Sequence, residues 1–307
     1  MDHPEKASLE RSDRWASAKP QTYDRFGQYM GLARSPAFET RPKVILDPRG
    51  LPLVGYAAGH SYNPTSISQY GLRHYGRWLR SRMGDDREKT LRAARWLLAE
   101  QAADGRWPYR FTYTVDYMGG SPGVTLSPPW SSAMAQGQGI SLLVRTWRIT
   151  GERRYLDAAR RAVKPLTLDV ARGGLKRRLA GGPFFEEYPT TPPSHVLNGF
   201  MFTVIGLWDI APWSPDAARL YRDGRATLVR ALPLYDRGPG QTSAYHLGFR
   251  TAGQPAEISP EYHEVHRAQL RVLDAIETDP SIAAVRKRWR LRRAPPAGER
   301  AGRNGNV

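Results

Sequence analysis

Two stretches constrain this chain more than any other: "SAMAQGQGISLLVRTW", from Ser132, and "HVLNGFMFTVIGLWDI", from His195. Both carry apolar or small residues almost all the way round a helix. A helix of that kind has to be surrounded by protein. The helices expected between them are different. Leu91, Ala94 and Leu98 form one apolar stripe, and Tyr155, Ala158, Ala162 and Leu166 form another, with arginines and acids on the opposite faces. Helical hairpins therefore begin near Ser66, Ser131, Ser194 and His263, spaced by roughly 65 residues. Inner helices alternating with outer ones describe a mainly α fold, an α/α toroid (an incomplete α/α barrel) of about four helical hairpins. The leading helix of the fourth pair, "HEVHRAQLRVLDAIE", is more charged, so this pair is expected to close the ring less completely.

Strand-like stretches separate the pairs. "RFTYTVDY" alternates and runs into the turn signal "GGSPG"; "GGLKRRLAGGPFFEEY" and "YDRGPGQTSAYHLGF" also read as hairpins. Each follows an outer helix and precedes an inner one. In a toroid such β-hairpin loops gather at one end, over the N-termini of the inner helices. That end would collect Tyr62, Trp130, Glu187, Tyr188, Tyr245, Tyr262 and His263. Helix N-termini facing one cavity favour an anionic ligand through their free amides and dipoles. Residues 1–42 read as an extended arm, 43–293 as the toroid domain, and 294–307 as a disordered basic tail.

Composition narrows the chemistry. The chain has 307 residues with 40% apolar, enough for a packed core, and no cysteine, which excludes disulfides, thiolate catalysis and cysteine-held metals. Net charge is +17. Either the partner is a polyanion, or the outer helices simply carry solvated arginines. No nucleic-acid motif accompanies the charge, so no nucleic acid is expected. The N-terminus lacks the apolar core of a signal peptide, and the apolar run near Phe200–Ile210 is interrupted by Asp209. The expectation is a soluble, cytoplasmic protein with no membrane span. No P-loop, dinucleotide fingerprint, zinc motif or nucleophile elbow occurs. Acids, phenols, imidazoles and arginines remain, and these suit proton transfer on a polar, anionic substrate.

Several positions admit two readings. "FFEEYPTTPPSHVLNG" places a carboxylate and a phenol at a cavity mouth, with Ser194 capping the next helix; it is equally a hairpin strand with alternate residues buried. Trp130 offers a sugar-stacking surface. Ser132 and Gln136 lie one turn apart on one helix face. Gly137 and Gly139 each cost helix stability, about 1 kcal/mol relative to alanine. They imply close approach by a ligand or backbone, or tight helix packing. His263 and His266, three residues apart, lack a third metal ligand, so no metal is expected. His263 then serves as a hydrogen-bonding or acid–base group.

"WSSAMAQGQGISLLVR", "FEEYPTTPPSHVLNGFMF", "GLWDI" and "LPLYD" resemble the C-terminal helical domain of D-glucuronyl C5-epimerases. These enzymes convert glucuronate to iduronate within heparin and heparan sulfate precursors. The resemblance runs from about Tyr62 to Trp289 and is densest from Trp130 to Asp236. It implies the same α/α toroid, an acidic, uronate-containing polysaccharide substrate, and no cofactor. The family's catalytic carboxylate and tyrosine fall on Glu187 and Tyr188, leaving Glu186 structural. Two further family tyrosines fall on Tyr245 and Tyr262, after a small gap. Tyr62, Trp130, Gln136, Asn198 and His263 would bind substrate. After Tyr245 the family usually shows an acid and an arginine, whereas this chain reads "YHLGF", so Arg250 or Arg145 would supply the cation. Animal members carry a β-rich region with a calcium site before the helices. Only some sixty residues precede them here, so no calcium is expected, and a homodimer would complete a shortened cleft. Two other functions fit the same residues: a uronate polysaccharide lyase sharing the C5 proton abstraction, and a non-catalytic polyanionic-glycan-binding protein.

Overall fold

A computed structural model describes residues 22–35, 37, 40–115, 123–248 and 259–290. The anticipated tail, 294–307, and most of the "GGSPG" turn lie outside the described residues. The chain forms a mainly helical domain in which four leading helices are each followed by a partner. The pairs are α1 (Pro64–Ser81) with α2 (Gly84–Glu100), and α3 (Ala133–Thr150) with α4 (Arg153–Arg161) and the single turn α5 (Lys164–Thr167). They continue with α6 (Leu197–Ile210) and α7 (Pro215–Tyr235), then α8 (Pro260–Ile276) and α9 (Pro280–Arg288). The leading helices pack in the order α1, α3, α6, α8, and each follower packs on its own leader. α3 is buried from Ala133 to Thr146 and α6 almost throughout, whereas α4 buries only Tyr155, Leu156, Ala158 and Ala159. The leaders α3 and α6 are thus far more enclosed than the follower α4. Among the described residues, no helix is long and apolar enough to cross a membrane.

Local chemistry sets the helix starts. Asn63, Ser214, Ser259 and Asp279 each precede a proline and accept a hydrogen bond from an N–H of the first turn of α1, α7, α8 and α9 respectively. The side chain satisfies an otherwise free donor, and proline at the first helical position has no N–H to lose. α3 ends at Gly151, whose φ of 73° allows its N–H to turn back to the Trp147 carbonyl.

α3 and α6 run parallel and touch backbone to backbone. A Cβ on Gly137 would fall 2.6 Å from the Phe202 carbonyl oxygen, and one on Gly206 would fall 2.2 Å from that of Gly137. Gly139 instead makes room for the Trp107 ring. Both glycines of "QGQG" therefore serve packing. Near the C-terminal ends of the same two helices, Arg145 of α3 and Asp209 of α6 form a fully buried ion pair at 2.7 Å.

The stretch before α1 is not an extended arm over its described part. Residues 22–35 turn through a short 3-10 helix, Leu32–Arg34, and pack under the leading helices. Tyr23 donates to Asp209, Arg145 donates to the Gly27 carbonyl, and the Tyr75 hydroxyl donates to that of Phe26. A three-stranded antiparallel sheet follows, which the sequence reading did not anticipate: β1 (Val44–Leu46), β2 (Pro52–Tyr56) and β3 (Gly59–Ser61), in that order.

Two of the three expected hairpins form: β4 (Tyr113–Val115) with β5 (Val124–Leu126), and β6 (Lys176–Leu179) with β7 (Gly182–Phe185). Ala180 and Gly181, both with positive φ, make the turn of the second. "YDRGPGQTSAYHLGF" does not. α7 runs through its tyrosine, and the following backbone bonds to several elements. Ala244 N–H donates to the Tyr235 carbonyl, that of Leu197 to the Tyr245 carbonyl, and those of Leu247 and Gly248 to the Ser194 carbonyl. Among the described residues this segment forms no strand.

Two substitutions test this frame. Gly137→Ala is expected to destabilise the protein by about 1–3 kcal/mol through overpacking against α6. Asp209→Asn leaves a buried guanidinium without its counter-charge and should cost about 3–5 kcal/mol. Chemical denaturation of the purified variants measures both.

Candidate active site

The site is built around the N-terminal turn of α6. β7 carries the chain into Glu186, Glu187 and Tyr188, all with no measurable exposure. The two acids part company at once. Glu186 Oε2 accepts from the Ser194 hydroxyl at 2.9 Å and from the His195 N–H at 3.0 Å, while its Oε1 lies 2.7 Å from His195 Nδ1. Its own carbonyl accepts from the Ala133 N–H at the start of α3. Glu186 thus fastens the loop between β7 and α6. Glu187 turns the other way, onto Gly199 in the first turn of α6. A Cβ there would fall 2.2 Å from Glu187 Oε2. The carboxylate therefore rests against the positive end of a helix.

Tyr188 joins an aromatic wall. Its ring is 5.6 Å from Tyr113 and 6.2 Å from Trp130. Trp130 in turn stacks on Tyr109 at 4.0 Å, and its Nε1 donates to the Phe111 carbonyl. On the other flank, Tyr245 and Tyr262 lie with ring centroids 4.3 Å apart. The Tyr245 carbonyl receives the Leu197 N–H, so this loop is pinned to the same helix turn that carries Glu187. Asn198, between Leu197 and Gly199, is buried with no hydrogen-bond partner for Oδ1 among the described residues, and its carbonyl accepts from Gln269 of α8.

Among known proteins, the family described as D-glucuronyl C5-epimerase C-terminus matches residues 101–291. The chain belongs to this D-glucuronyl C5-epimerase family. It is 34% identical over 212 residues to the D-glucuronyl C5-epimerase of Caenorhabditis elegans, covering 64% of this chain and 33% of the worm protein. It is 30% identical over 191 residues to an uncharacterized protein of Methanocaldococcus jannaschii, covering 60% of this chain and 56% of the archaeal one. The chain thus spans about a third of the worm protein and just over half of the archaeal one.

Within this epimerase-family fold, Glu187, Tyr188, Tyr245, Tyr262 and Asn198 gather around α6, while other anticipated residues do not. Gln136 is interior: its Oε1 accepts from the Trp107 N–H, and its Nε2 donates to the Gly105 and Ala162 carbonyls. Arg145 sits at the opposite end of α3, bonded to Asp209, Tyr23 and three carbonyls. Burial works against its charge, but Asp209 and Tyr23 outweigh that and hold the guanidinium above its ordinary range. Neither faces the site, because all their hydrogen-bonding capacity is taken up inside. Trp130 is only 6% exposed, a wall member under Tyr109 and not an open stacking surface. Ser194 caps no helix; α6 starts three residues later, and the hydroxyl goes to Glu186.

Tyr62 lies to the side, against the Trp96 ring, where it bonds Asp47 and Arg49. Burial and then the Asp47 carboxylate raise its phenol. Arg250 lies outside the described residues. His263 is buried, bonded to Ser243 and the Trp289 carbonyl. The sequence reading missed the positioning role of His195, held at φ 50° with its carbonyl receiving the Tyr235 hydroxyl. The signal available was its place directly before the apolar helix. Replacing Glu186 by alanine would orphan the buried Ser194 hydroxyl and the His195 N–H. A loss of about 2–4 kcal/mol is expected, larger than that for Glu187→Gln, by thermal unfolding of the two variants side by side.

Proposed function

We propose that the chain epimerises D-glucuronate to L-iduronate residues at C5 within a glycosaminoglycan-like acidic polysaccharide. The observation that carries this is the gathering of Glu187, Tyr188, Tyr245 and Tyr262 around one helix N-terminus in a chain of this family. In this reading the four leading helices are the inner layer of an α/α toroid whose open end holds the site.

The reaction removes the C5 proton beside a carboxylate and returns one to the opposite face. Tyr188 would act on one face and Tyr245 or Tyr262 on the other, with Glu187 exchanging protons with one of them. Charge developing on the substrate carboxylate needs donors or cations in place beforehand. The first-turn N–H groups of α6 and α8 supply part of that field. A tyrosine of ordinary pKa, about 10, requires positive neighbours before it can take a proton at neutral pH. Arg250 would be the side-chain cation, since Arg145 is committed elsewhere.

Incubation in heavy water with unsulfated and N-sulfated glucuronate–glucosamine polymers tests the reading. Deuterium at C5 together with iduronate is the expected result. An unsaturated uronate product would instead mean a lyase, and binding without either product would mean a glycan-binding module. Tyr188→Phe should lower C5 exchange by about 10²–10⁴-fold with unchanged thermal unfolding; normal exchange in that variant would remove Tyr188 from the mechanism.

A further inference from the structure

Ser243 sits between two histidines of α8. Its Oγ is 2.9 Å from His263 Nδ1 and 2.9 Å from His266 Nδ1, and its main-chain N–H donates to His263 Nδ1 at 2.9 Å. On the far side of the first ring, His263 Nε2 lies 3.0 Å from the Trp289 carbonyl oxygen. A carbonyl only accepts, so Nε2 carries the proton and Nδ1 is the acceptor. With that lone pair already taken by the Ser243 N–H, the hydroxyl is directed to His266 Nδ1. Ser243 is 1% exposed and both histidines are fully buried. Burial holds both imidazoles below their ordinary range, His266 far below, so both are neutral acceptors at neutral pH.

The cluster joins two elements that carry tyrosines of the site. Ser243 precedes Tyr245 by two residues in the loop after α7, and His263 directly follows Tyr262 on α8. The loop's main-chain anchors at Gly240, Ala244 and Tyr245 lead to Arg288 of α9, to α7 and to α6, and those at Leu247 and Gly248 lead to the Ser194 carbonyl. Ser243 ties it to α8 and so fixes the 4.3 Å approach of the two rings. A purely space-filling group would have been apolar here. As built, His266 Nε2 is buried with no hydrogen-bond partner among the described residues, a cost that packing alone gives no reason to carry.

We propose that Ser243, His263 and His266 form a positioning clamp that sets Tyr245 against Tyr262 for proton transfer, an inference that rests on the epimerase reading above. Two measurements on Ser243→Ala, His263→Leu and His263→Asn test it. The first is steady-state C5 exchange with the glucuronate polymer, alongside thermal unfolding. The second is the nuclear Overhauser contact between the Tyr245 and Tyr262 rings in tyrosine-labelled protein, which needs no activity. Ser243→Ala and His263→Leu are expected to lower kcat about tenfold or more, because sub-ångström misplacement suffices for that. KM should stay within about twofold. Asparagine, which restores an acceptor near the Nδ1 position, should regain most of the rate. The ring contact should weaken in Ser243→Ala and persist in His263→Asn. Unchanged kcat in Ser243→Ala, or a rate in His263→Asn as low as in His263→Leu, would overturn the clamp. If the wild-type protein exchanges no C5 hydrogen, the epimerase reading fails, and the ring contact alone decides: its persistence in Ser243→Ala overturns the clamp, and its loss sustains it.

Discussion

The buried pair of Arg145 and Asp209 organises the C-terminal ends of α3 and α6. A guanidinium has five N–H donors and no acceptor, so full burial obliges the chain to bring oxygens to it. They come from Asp209 on α6, from Ser141 on α3, and from Tyr23, Asp24 and Gly27 of the N-terminal segment. Losing Asp209 would strand a buried charge, and losing any of the others would leave a buried N–H unsatisfied. The N-terminal segment, α3 and α6 are therefore held as one body, and Tyr29 packs beside Phe202 as part of the same plug. The close backbone contact at Gly137 and Gly206 sets how α3 and α6 lie against each other. Once both constraints hold, the opposite end of α6 has a fixed place, and there the loops of the site converge.

At that end, adjacent glutamates do different work because of where β7 stops. Glu186 still follows the strand alternation into the interior, where a hydroxyl, an N–H and an imidazole await it. Glu187 lies on the other side and reaches the helix only because position 199 has no side chain. The aromatic wall of Tyr109, Trp130, Tyr113 and Tyr188 meanwhile joins β4, the start of α3 and the Glu187 loop into one stacked unit. Phenol and carboxylate are thus fixed from opposite sides. Such rigidity suits proton transfer, whose efficiency depends on sub-ångström placement.

The helical frame was legible from the residues, because burial on all sides leaves a pattern in one stretch of chain. "HVLNGFMFTVIGLWDI" has no polar face to offer solvent, and the stripe from Tyr155 to Leu166 has only one apolar face. The helix caps were not read from the residues: Ser194, taken as one, bonds Glu186 instead, while Asn63, Ser214, Ser259 and Asp279, each before a proline, do the capping. The Glu187–Tyr188 motif was legible by resemblance. What the residues alone misdirected were Gln136, Arg145 and Trp130. Each has the chemistry of a binding group, and each finds interior partners distant in sequence: Gly105 and Ala162, Asp209 and Tyr23, Tyr109 and Phe111.

By itself, then, the sequence determined which segments are helices, which stretches have no polar face to offer solvent, and where an acid stands beside a phenol. Those are local properties of side-chain periodicity and order. Only the tertiary structure decided which polar groups face the site and which serve the core, and that the loop after Tyr235 pins to α6 and α8 instead of pairing as a strand. The reason is that a donor or acceptor of given strength reads the same in sequence whether its partner is a ligand or a carbonyl a hundred residues away.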